Sequence, residues 1–114
     1  MLTQERLNAM ALELPGTEPG TSYGYPAVKL GKKTLVVWSP KWNAPVFGMD
    51  FETRDFYIEA DPETFFTTDH HRNWPCVLAR PETVDEAWVR ARLIEAWRKA
   101  APKRLQKADP DLPA

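Results

Sequence analysis

The chain reads as an α+β domain, with a single antiparallel sheet of about five strands packed against an N-terminal helix and a long C-terminal helix. Three observations predict this. Apolar residues recur at helical spacing at both ends of the chain, as Leu7, Met10, Ala11 and Leu14 and again as Trp88, Ala91, Ile94, Trp97 and Ala101. Short runs rich in β-branched and aromatic residues lie between them. Gly and Pro break those runs so closely that hairpins, not long crossovers, must join them.

Each element has a local reason. Thr3 is placed to cap the first helix, with Leu2 before it stapled onto Leu7. Pro15-Gly16 ends that helix, and a Gly-, Pro- and Thr-rich surface loop is expected through Thr21. Ser22 to Leu30 is a strand candidate in which Gly24 and Pro26 imply an edge or bulged start. Gly31-Lys32-Lys33 turns the chain into a second strand, Thr34 to Trp38. After a loop over Pro40 to Pro45, Val46 to Phe51 is a third strand. Glu52 to Ala60 is a short helix stopped by Asp61-Pro62.

Phe65 to Thr68 and Cys76 to Ala79 are the fourth and fifth strands, joined by a loop over Asp69 to Pro75. Thr83 and Glu86 have capping-box spacing for the longest helix, whose apolar face also draws on Val84 and Leu93. Pro102 opens a last helical turn carrying Lys103, Arg104 and Lys107. One domain over residues 1–107 and a frayed tail over 108–114 are expected.

Composition limits the function classes. At 114 residues the chain can bury a core without a metal or disulfide staple. Cys76 is its single cysteine, which excludes an intrachain disulfide and fits a reducing cytoplasm. No apolar run reaches the length of a membrane span, and no basic-then-apolar leader opens the chain, so no membrane partner is expected. A net charge of −1 argues against nucleic-acid binding by bulk charge. The charge is nevertheless in blocks. Pro19 to Met49 holds Lys29, Lys32, Lys33 and Lys41 and no acid; Asp50 to Glu63 is acidic; Arg90 to Lys107 is basic apart from Glu95.

Leu14-Pro15-Gly16-Thr17, Ser22-Tyr23-Gly24 with Pro26, His70, and the ending Ala100-Ala101-Pro102-Lys103-Arg104-Leu105 together resemble the MmcQ/YjbR-like family of small bacterial proteins. The likeness covers roughly residues 2–107 and is poorest over Ser39 to Glu52, where Pro40, Trp42 and Pro45 depart from the pattern. It implies a secretion-chaperone-like α+β fold, distantly similar to frataxin-like folds, and DNA binding by a double-wing arrangement.

No reaction is spelled out by the residues. His70 and His71 are adjacent and point apart on an extended chain, and one cysteine completes no zinc set, so neither a metal nor another cofactor is expected. His70 is instead placed to pack beneath Trp74. Cys76 opens a buried strand, where a thiol is inert, and Ser22 and Ser39 lack a nucleophile-elbow context. No phosphate-cradling glycine motif is present, and no catalytic residue is assigned.

Basic and aromatic residues interleave on the turns. Lys29, Lys32 and Lys33 surround one turn, Lys41 and Trp42 sit on the next loop, and Arg72 and Trp74 lie on the loop before the last strand. These are candidate contacts to the phosphates and bases of double-stranded DNA. Two other readings stand beside this one. In the first, a protein-interaction or chaperone-like module uses Tyr23, Tyr25 and Trp38 on an exposed sheet face for a partner or a second copy. The second is a metal-dependent, frataxin-type role for the Asp50-to-Glu63 acids or His70. The first helix carries only Glu5 and Glu13 beside Arg6, which is weak support for that role.

Overall fold

Helix α1 (Gln4–Leu12) begins where the sequence expects it, because the Thr3 side chain accepts a hydrogen bond from the Arg6 backbone N–H at 3.0 Å. In the computed structural model, which describes residues 1–108, α1 is followed by strands β1 (Thr17–Ser22), β2 (Tyr25–Leu30), β3 (Lys33–Ser39) and β4 (Ala44–Gly48), then helix α2 (Phe51–Ala60). Strands β5 (Phe65–Phe66) and β6 (Cys76–Ala79) and helices α3 (Glu86–Ala100) and α4 (Lys103–Ala108) complete it. The tail expected after α4 lies outside the described residues.

All strand pairings are antiparallel and make one six-stranded sheet in the order β1-β2-β3-β4-β6-β5. The additional strand is β1, in the segment expected to be a surface loop. Its side chains are exposed at four of six positions, so no alternation marks it, and an edge position tolerates Pro19 and Gly20. The strand expected over Ser22 to Leu30 is therefore a hairpin. Tyr23 and Gly24 form a two-residue turn with φ of 51° and 81°, between the paired Ser22 and Tyr25. Pro26 pairs toward Thr21, and the β2–β3 ladder begins only at Ala27, so its missing N–H disrupts no pairing there.

One sheet face carries Val28, Val36, Trp38, Phe47 and Val77 into the core. A bulge between β2 and β3 leaves Leu35 without a Cα partner and lets it join Val36 in that core. The stripe on α1 is buried as expected: Leu7, Met10 and Ala11 within the helix, with Leu2 and Leu14 flanking it. On α3 the buried line is Val89, Leu93, Ile94 and Trp97, rotated from the expected stripe. Trp88 and Ala91 sit at its margins, half-buried. Trp88 packs edge-on against Phe47 and Tyr57, at 5.1 and 5.3 Å between centroids.

The α3 cap is also shifted. Asp85, not Thr83, is the N-cap and accepts from the Ala87 N–H. Thr83 is hydrogen-bonded to Thr64 at 2.8 Å, and Glu86 is held by Arg6 at 2.9 Å, so neither is free to form the box.

The two ends of the chain meet. Trp97 Nε1 donates to the Pro15 carbonyl at 2.8 Å. Thr17 Oγ1 lies 3.0 and 2.8 Å from the Ala11 and Leu14 carbonyls and satisfies the open end of α1. Gly16, at φ 79°, leaves room for Leu30 and Leu105.

Candidate functional site

The topology sorts the basic and aromatic candidates into two groups. Strand β3 runs from the Gly31-Lys32 turn to the Pro40–Asn43 turn, about 20 Å at roughly 3.3 Å per residue. Lys32 and Lys33 lie at its first end. Gly48 at the end of β4 pairs with Cys76 at the start of β6, so the loop over residues 67–75, with Arg72 and Trp74, lies at that same end. Lys41 and Trp42 lie at the other end, together with the Tyr23-Gly24 turn.

At the first end, Lys32 and Lys33 are exposed, and neither has a carboxylate partner among the described residues. Lys29 is different. It is half-buried opposite Glu18, and its stem lies against β1, 3.1 Å from where a Cβ on Gly20 would sit. Arg72 is exposed and paired with Asp69 at 2.6 Å, and Trp74 is 57% exposed. The loop is anchored to α2 by Arg54, which donates to the Arg72 carbonyl at 2.8 Å.

His71 is buried in this loop, its Nδ1 2.7 Å from Thr68 Oγ1, while His70 is exposed and meets the His71 ring edge-on at 5.0 Å. Burial, helped by His70, pushes the His71 pKa below its ordinary value. The fold thus gives the two histidines different surroundings, and the ring contact of His70 is to His71. The Thr68–His71 turn also ends β5 at Phe66, two residues earlier than expected. Burial raises the pKa of the Cys76 thiol, with Arg54 opposing weakly, which keeps it protonated at neutral pH.

Between β3, β4 and α3, at this end, lies a cleft of about 240 Å³. Lys33, Arg92 and Lys99 bring three cations to it and Glu95 one carboxylate. In the sequence Arg92 and Lys99 stand out only as members of the basic block over Arg90 to Lys107, and Glu95 as the acid within it. Their i, i+3, i+7 spacing marks one helical face. That the face meets Lys33 follows only from the packing of α3 on β3.

At the opposite end, Trp42 is 43% exposed, and the Lys41 ammonium lies 5.6 Å from its ring centroid. Tyr23 is 95% exposed, but Trp38, the third aromatic expected on an open sheet face, is 5% exposed. It pairs with Pro45 on the core side. Strand β3 is apolar on both faces, so alternation alone could not decide which way Trp38 points.

The YjbR family model matches residues 12–99. The chain belongs to the YjbR family. No curated protein and no solved structure matches it. The matched span of this YjbR-family chain runs from the end of α1 nearly to the end of α3, so it includes the whole sheet and both groups of candidate residues. Among the described residues, no helix is long and apolar enough to cross a membrane. No group of three or more His, Cys, Asp or Glu among them could hold a metal ion.

Proposed function

We propose that this YjbR-family protein is a non-enzymatic, cytoplasmic DNA-binding protein that contacts duplex phosphates with the sheet end carrying Lys32 and Lys33. The observation that supports the reading most is the placement of Lys32, Lys33, Arg72 and Lys99 at one end of the sheet, with exposed Trp74 on the same loop as Arg72. The Arg72–Asp69 pair is exposed, so it exchanges readily for a phosphate. The double-wing DNA binding implied by the family resemblance points the same way. Neutralisation by a local patch also agrees with a net charge near zero, because binding then depends on the face presented.

The test is fluorescence anisotropy of a labelled duplex of about 20 base pairs between roughly 50 and 200 mM salt. Four phosphate contacts give a log–log salt slope of about −3.6. Replacing Lys32, Lys33 and Arg72 together by Ala should reduce it to about −0.9. Replacing Lys41 and Trp42 should leave it in place, because they lie at the far end. Absence of binding at low salt, or a slope unchanged in the triple variant, would overturn the reading.

A further inference from the structure

The cleft between β3, β4 and α3 shares Lys33 and Lys99 with the proposed duplex surface and adds Arg92, Glu95 and an apolar wall that this surface does not use. Its inner wall includes Leu35 and Phe47, both buried, with Ala96 and Ala100 from α3. Lys33, Arg92 and Lys99 contribute three positive charges. Glu95 is the one carboxylate in the lining, and it holds Arg92 and Lys99 loosely, at 3.6 and 3.5 Å; Asp50, outside the lining, adds a weaker attraction to Lys99. Those distances exceed the roughly 2.7–2.9 Å of a charge-assisted hydrogen bond.

Arg92 is fixed in place by donating to Tyr57 Oη at 3.2 Å and by lying over the Trp88 ring. Its Nε is buried and has no hydrogen-bond partner among the described residues. A half-buried guanidinium, with a carboxylate no nearer than 3.6 Å, is poised to take a better anion.

We propose that this cleft binds a small dianionic ligand with an apolar body, of the chemical class of an aryl or alkyl phosphomonoester. The charge argues for the dianion: within the lining, three cations stand against one carboxylate, and Asp50 reaches only Lys99 from outside it. The wall argues for the apolar body, since Leu35, Phe47, Ala96 and Ala100 offer a free phosphate ion nothing to bind. The volume, about 240 Å³, falls below the roughly 300–1,000 Å³ of drug-sized sites and limits the ligand to a small one. The cleft shares Lys33 and Lys99 with the proposed duplex surface, whereas Lys32 and Arg72 do not line it, so a change at Arg72 separates the two readings.

The test is calorimetric titration with phenyl phosphate, alongside inorganic phosphate and benzyl alcohol, with intrinsic Trp emission read in parallel because Trp88 adjoins Arg92. Phenyl phosphate should bind saturably, inorganic phosphate at least about fivefold more weakly, and benzyl alcohol not measurably. Lys99→Ala should weaken phenyl phosphate binding about two- to fivefold, and Glu95→Gln should strengthen it by a similar factor. Their side chains are 76% and 47% exposed, so both variants should melt like the parent. Arg72→Ala should leave this binding unchanged. No saturable heat with phenyl phosphate would overturn the proposal. So would equal affinity for inorganic phosphate, or the same affinity in the parent, Lys99→Ala and Glu95→Gln.

Discussion

Trp97 joins the back of the chain to the front, and its substitution tests the packing most directly. The side chain is 1% exposed and sits among the core residues of α1, the sheet and α3. Trp97→Ala removes a whole buried indole, which costs about 3–5 kcal/mol when the site cannot collapse around the loss. It also removes the donor that satisfies the Pro15 carbonyl at 2.8 Å. Trp97→Phe keeps most of the ring but loses that donor, so it should cost about 1–3 kcal/mol. Total stability for such a domain is about 5–15 kcal/mol, so the Ala variant should lose a large share of it. At about 4 °C per kcal/mol, its Tm should fall by about 12–20 °C. Thermal and urea melts followed by circular dichroism measure both variants. An Ala variant that melts within about 2 °C of the parent would refute the assignment of Trp97 to the core.

Two further predictions concern the glycine and histidine positions. Gly16→Ala should cost about 1–2 kcal/mol or more in a urea melt, because the residue has φ 79° and a Cβ would sit 2.9 Å from Leu30 Cδ1 and 3.1 Å from Leu105 Cδ2. Gly24→Ala shares the left-handed backbone at φ 81° with nothing within 4 Å, so it should cost less; equal costs would remove the contact from the account. For His71, the folded pKa is lowered, chiefly by burial, so its contribution to stability is complete above the unfolded value of about 6.5 and is lost as pH falls from there toward the folded value. The parent should therefore melt at a lower temperature at about pH 5 than at pH 7.5, and His71→Asn should flatten that dependence. Asp50 and Glu86, whose pKa values are also lowered, titrate below this window. Identical pH profiles for parent and variant would remove His71 from the account.

Much of the fold was legible because local chemistry and tertiary packing agree. The Thr3 cap, the α1 stripe, the Gly31-Lys32 turn and the bounds of β6 follow from capping, periodicity and turn residues. The failures are equally physical. Strand β1 is exposed on both faces and contains Pro and Gly, so neither propensity nor alternation reveals it; pairing with β2 makes it a strand. Its turn was hidden because Tyr23 occupies a left-handed position where Asn or Gly is the usual signal. Thr83 has the spacing of a cap, but its contact to Thr64 spans 19 residues, which no local pattern records. The individual lysines and tryptophans of the candidate site could be read off the turns. Their division between the two ends of β3, and the meeting of Lys33 with Arg92 and Lys99, required the sheet order and the seating of α3.

Two of the segments that carry the family resemblance, around Pro15-Gly16-Thr17 and around Leu105, meet at the Trp97 junction. Pro15 accepts from Trp97, Thr17 closes the end of α1, and Gly16 makes room for Leu105 in α4. These contacts account for those two segments as packing. The binding reading rests on other residues, namely Lys32, Lys33, Arg72 and Lys99, all of which are exposed. The two sets should therefore separate in experiment. Trp97→Phe and Gly16→Ala should lower stability while the folded fraction keeps its duplex affinity. The Lys32, Lys33 and Arg72 triple substitution should weaken the duplex with little change in Tm, because exposed charges contribute at most about 1 kcal/mol each. A triple variant that unfolds would show that these side chains hold the sheet end together, and a Trp97→Phe protein that is folded yet blind to DNA would move the interface toward the Pro15–Trp97 junction.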